Sequence, residues 1–163
     1  LDVTAQAWLG ALEARAHAGL GDARAFRDAQ DKANAGIDRT HSEQRRHGMD
    51  FDGDHLDVTY YEGTSLVTLR QPEAAQPILG HSLEVQGQGH IKAHSILLLA
   101  LATTYAHEHE IERACEIGVQ ALDLPSDQRI GPINQRARDL VRELEPWRST
   151  PPVRTLVERL ATE

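Results

Sequence analysis

The side chains best able to do chemistry are nine histidines, several closely spaced carboxylates and one thiol. His90 and His94 are four apart and share a helix face, but two ligands fall short of the three or four a zinc site takes. His107-Glu108-His109-Glu110 is not the His-Glu-x-x-His string of a zinc protease, because its histidines are two apart and point to different sides. It reads as a polar turn. Asp50, Asp52, Asp54 and Asp57 alternate as in a calcium loop, yet the Gly-x5-Glu that should follow is missing, Glu62 lying too far on. Gly53 and Asp54 read instead as a turn and a helix cap. Cys115 stands among Ala114 and Ile117 beside glutamates, the setting of a buried, inert thiol. No Ser/His/Asp arrangement at motif spacing and no phosphate loop appears. The expectation is a protein without catalytic residues, metal or cofactor.

What must position any functional residue is a set of helices. Apolar residues make up 40% of the 163 and aromatics only 4%, so the core is built of Ala, Leu, Val and Ile. Small apolar residues let helices approach closely, whereas strands favour more β-branched and aromatic side chains. A net charge of −8 opposes nonspecific nucleic-acid binding, which needs clustered cations. One cysteine excludes an internal disulfide and fits the cytoplasm. No apolar run approaches the roughly 18 residues of a membrane span, and no signal peptide is visible. The chain begins at Leu1 rather than Met, which suggests a fragment with a segment in front.

Read in order, Thr4 caps a helix carrying Trp8, Leu9, Leu12 and Ala16, and Gly19-Leu20-Gly21-Asp22 ends it. Asp22 caps a second helix to Ile37. Residues 38–54 hold two glycines and no aliphatic run, and read as a long connection or a fraying helix end that Met49 and Phe51 pin inward. A helix from His55 to Leu69 follows. Pro72 opens the next as a first-turn proline, Pro77 costs it a hydrogen bond or places a bend, and Gly87-Gln88-Gly89 stops it. The run 91–124 is apolar from Ile96 to Ala102 and continues at three-and-four spacing to Tyr105, the mark of a helix with neighbours on several sides. Helices at about 128–145 and 151–161 close the chain. The second of these has Val153, Leu156, Val157 and Leu160 on one face.

Three hairpins, 4–37, 55–85 and 91–124, repeat one pattern. Ala14, Gly63 and Ala102 are each followed twelve residues later by Phe26, Ala75 and Ala114. A small residue there lets the two helices of a hairpin cross closely, and each hairpin leaves an apolar face that a neighbour buries. Leu98-x2-Leu101-Ala102-x2-Tyr105, Ala114 and Pro125 resemble the tetratricopeptide repeat, with Phe26, Gly118 and irregular spacing as departures. The resemblance implies an all-α, right-handed superhelical stack of about eight helices spanning 1–163 as a single domain.

A narrower resemblance lies in FDGDHLDVTYYEGTSLVTLRQPEAAQPIL, in AHSILLLALATTYAHEHEIERACEIGVQAL and in RARDLVRELEPWRSTPPVRTLVERL. Together they look like the C-terminal half of actinobacterial transcriptional regulators whose N-terminal half is a helix-turn-helix of the phage-repressor type. It implies a regulatory region that binds a peptide, a small molecule or a protein partner, forms homodimers, and touches DNA only through an N-terminal domain absent here. The alternative is a stand-alone scaffold for protein partners. Counting from the small residues, a concave groove would present Trp8, Arg15, Tyr60, Thr64, Thr68, Leu99, Thr103, His107 and Arg138. Arg15 and Arg138 would fork a carboxylate and Tyr60 would supply a flat contact. Trp147, Val153, Leu156 and Val157 would form an exposed apolar patch that pairs with another copy.

Overall fold

The computed structural model describes residues 3–47, 53–86 and 90–162. Among them the architecture is all-helical, with eight α-helices and no strand. None of these helices is long and apolar enough to cross a membrane. The chain divides into two compact units, Leu1–Leu69 and Arg70–Glu163. The boundary falls inside the stretch 55–85 that was expected to be one hairpin.

In the first unit, α1 (Val3–Gly19) and α2 (Ala23–His47) form a tight antiparallel pair, and α3 (Gly53–Thr68) packs mainly on α1. The seam is made of small residues. A Cβ on Gly36 would stand 2.8 Å from that of Ala7, and one on Gly10 would stand 3.2 Å from that of Ala33. Ala7, Ala11, Ala33, Ile37 and Val58 share one core, with Tyr61 against it. Gly21, at φ +75°, reverses the chain between α1 and α2 as glycine permits. The Ala25 N–H then donates to Asp22 Oδ1 at 2.9 Å, so Asp22 is the expected cap.

Helix α2 runs ten residues past the expected end at Ile37, to His47. Residues 38–47 contain no Gly or Pro and five good helix formers, Arg39, Glu43, Gln44, Arg45 and Arg46. A helix needs no apolar stripe to continue once nucleated. The remainder of the expected connection, including Met49, Phe51 and the Asp50 and Asp52 of the calcium-like run, lies outside the described residues, as does the Gly87–Gly89 stop.

The second unit is organised on α5 (Ile91–His107), which packs against α4 (Pro72–Gln86), α6 (Ile111–Ala121) and α7 (Gly131–Glu143). Helix α8 (Pro151–Ala161) lies on α6 and touches α7 more lightly. This many-sided burial is why the run from Ser95 to Ala100 is buried without a break. Ala75, Ala102 and Ala114 are fully enclosed at the repeat positions. Leu79, Leu97, Leu99, Leu122, Ile133, Leu140, Leu144, Val153 and Leu156 fill the core, each stabilising by roughly 1.5–3 kcal/mol on burial. Gly118 makes room for two of them: a Cβ there would lie 2.9 Å from Leu140 Cδ2 and 3.0 Å from Leu156 Cδ1. Pro72 and Pro151 each begin a helix, as first-turn prolines do. Ser95 Oγ donates to the Ala121 carbonyl at 2.6 Å, satisfying an end of α6 from inside the core.

Candidate functional site

The residues expected to line one groove divide between the two units. In the first unit, Trp8 is 47% exposed and Arg15 is exposed, its guanidinium 5.6 Å from the centre of the Tyr61 ring. Tyr60 is half-buried and meets Tyr61 edge-on, with centroids 5.3 Å apart. Thr64 is not a groove residue. It is buried, and its hydroxyl donates back to the Tyr60 carbonyl at 2.9 Å, a bond a mid-helix threonine makes when turned inward. Thr68 is exposed and donates likewise to the Thr64 carbonyl. Glu62, too far along the chain to complete a calcium loop, accepts from Gln30 Nε2 at 3.3 Å, and burial, with help from Asp31, pushes its carboxyl up.

In the second unit Leu99 is fully buried and belongs to the core, because α5 is covered on that side as well. Thr103 is half-exposed and its hydroxyl donates to the Leu99 carbonyl at 2.8 Å. His107 does stand in a polar row, one that α4, α5 and α7 assemble together. Arg70 forks Glu143 with bonds of 3.0 and 3.1 Å, and His107 Nε2 is 3.7 Å from the same carboxylate. The His107 side chain is 6% exposed, and its Nδ1 is enclosed without a partner among the described residues. One turn along, Gln76 Nε2 donates to Glu108 Oε2 at 2.6 Å and to Thr104 Oγ1 at 3.2 Å. No motif surrounds Arg70, Gln76 or Glu143 in the sequence. Only packing brings them together.

Two effects set the protonation of this row. Burial, then the neighbouring Arg70, lowers the His107 imidazole below its usual range, with Glu143 opposing. Burial pushes the Glu143 carboxyl up, but the Arg70 fork and His107 outweigh it and hold it down. A neutral imidazole beside a carboxylate has the form of a general base. Here the carboxylate is taken by a guanidinium, and no hydroxyl or thiol is placed against the ring among the described hydrogen bonds. Cys115 lies elsewhere, on α6, with burial and then Glu112 pushing its thiol up to about 11. No group of three or more His, Cys, Asp and Glu among the described residues is placed to hold a metal.

The expected apolar patch at the chain's end is not formed. Val153 and Leu156 are fully buried because α8 turns its stripe onto α6 beside Gly118. Trp147 is half-buried, its ring 5.3 Å from that of His109. Val157 and the exposed Arg138 instead line a cleft between α8 and α7. Below it Arg129, unmarked in the sequence, donates to the carbonyls of Leu122, Leu124, Arg159 and Thr162 at 2.8–3.3 Å. A cation at two helix C-termini satisfies carbonyls left open there and opposes their dipoles.

Comparison of the chain with protein-family models, with curated proteins and with solved structures finds no match.

Proposed function

We propose that this chain is a non-catalytic interaction module of tetratricopeptide type, the sensing region of a bacterial helix-turn-helix regulator. It binds a peptide, a small effector or a protein partner through the polar side chains that α4, α5 and α7 bring together. The observation that carries this reading is the packing order of the second unit: α5 packs on α7 and α6 on α8, first helix to first and second to second. Stacked hairpin repeats bury their faces in that register. The row Gln76, Thr104, Glu108, Arg70 and Glu143 supports it, since it gathers forked and charged hydrogen-bonding groups from α4, α5 and α7 and the turns beside them.

The test is a selection of random-sequence DNA by the full-length gene product. Enrichment of a defined operator, with occupancy altered in a Glu108→Arg variant that still folds, is the expected result. Failure to enrich any sequence overturns the regulator reading.

A further inference from the structure

We propose that the cleft between α7 and α8 is a binding site for an aliphatic carboxylate, a monoanion with an unbranched apolar tail. The cleft is open to solvent along one side and offers about 690 Å³, within the roughly 300–1,000 Å³ of small-molecule sites. It lies apart from the polar row, so this inference does not rest on the preceding one. Its α8 wall is apolar: Val157, Leu160 and Ala161 follow at helical spacing and line it together. Its α7 wall is polar, with Asn134 and Arg138 one turn apart.

The charge of the lining selects the headgroup. Two guanidiniums, Arg129 and Arg138, face one carboxylate, Asp127, in a chain whose net charge is −8. Arg129 has already committed its donors to four backbone carbonyls, so it contributes field rather than free N–H groups. Arg138 is exposed, and no carboxylate pairs with it among the described residues. Its fork is therefore open for a carboxylate, the geometry a guanidinium matches best. An ammonium in the same place would meet two like charges. A tail leaving Arg138 across the cleft lies on Val157 and Leu160, where it removes apolar surface from water.

The test is isothermal titration of the whole chain with octanoate, 1-octanol, octylammonium and acetate. Octanoate should bind at least about tenfold more tightly than 1-octanol, which lacks the charged hydrogen bonds, and more tightly than acetate, which lacks the tail. Octylammonium should give no heat. Arg138→Gln should weaken octanoate about tenfold and leave 1-octanol unchanged. Ala161→Asp, at an exposed position of the wall, should abolish octanoate binding with the helical circular dichroism retained. The proposal is overturned if octanoate does not bind, if acetate binds as well as octanoate, or if Arg138→Gln binds octanoate like the parent. None of these outcomes touches the DNA selection above.

Discussion

Arg70 reaches Glu143 across 73 positions of sequence and forks its carboxylate with two bonds of 3.0 and 3.1 Å. It does so from a left-handed backbone position, φ +55°, that a side chain with a Cβ rarely adopts. The fork and the strain oppose each other, and their separation is testable. Arg70 is 62% exposed and Glu143 33%, so the pair contributes no more than about 1 kcal/mol. Arg70→Ala should lose that and keep the strain, whereas Arg70→Gly should lose it and relieve roughly 1 kcal/mol of strain. Urea denaturation should therefore rank Arg70→Gly above Arg70→Ala and close to the parent. An alanine variant as stable as the glycine one would show that φ +55° costs nothing here.

The lowered imidazole of His107 gives stability a defined pH dependence. Its folded value lies below the ordinary 6.5 of a histidine, so the unfolded chain binds the proton more readily. The stabilisation is fully present above 6.5 and is lost as pH falls from there toward the folded value. The slope in that window reaches at most about 1.4 kcal/mol per pH unit from one group. Thermal melts between pH 7.5 and 5.5 should show the parent losing stability on acidification. His107→Gln should flatten that slope, and an unchanged slope would assign it to another group.

Three glycines make a graded series. Gly80 has open space around an added Cβ, so Gly80→Ala should stabilise by about 0.5–1 kcal/mol through helix propensity alone. Gly118→Ala meets the methyl ends of Leu140 and Leu156, which can shift, and should land within about 1 kcal/mol of the parent. Gly36→Ala meets the Cβ and Cα of Ala7 at 2.8 and 3.1 Å, so the α1 backbone must move. It should destabilise by about 1–3 kcal/mol despite the gain in propensity. Melting temperatures of the three variants test the order 80, 118, 36.

Arg129→Ala should destabilise the second unit by roughly 2–3 kcal/mol, since four carbonyls at the ends of α6 and α8 lose their donor. Arg129→Lys should recover only part, because an ammonium cannot span four acceptors. Hydrogen exchange should locate the loss in the last turns of α6 and α8. Equal protection there in parent and alanine variant would show that water replaces the guanidinium without cost.

The sequence alone determined the helices and most of their ends. Periodicity, Asp22 as a cap, Pro72 and Pro151 as openings, and the small residues at Ala75, Ala102 and Ala114 are local features, and local sterics act on them in any context. Where no such signal existed, at 38–47, the helix ran further than its apolar stripe did. Only tertiary structure decided which side chains face one another. Leu99 and Thr64 sit at groove spacing yet are buried, since a helix position does not say how many neighbours cover it. Val153 and Leu156 read as a free patch until α8 packed beside Gly118. Arg70 with Glu143, Gln76 with Glu108, and Arg129 with the carbonyls of Arg159 and Thr162 are long-range pairings of ordinary surface residue types. Residue type and spacing carry no record of them, because the distance between partners is set by how the helices pack.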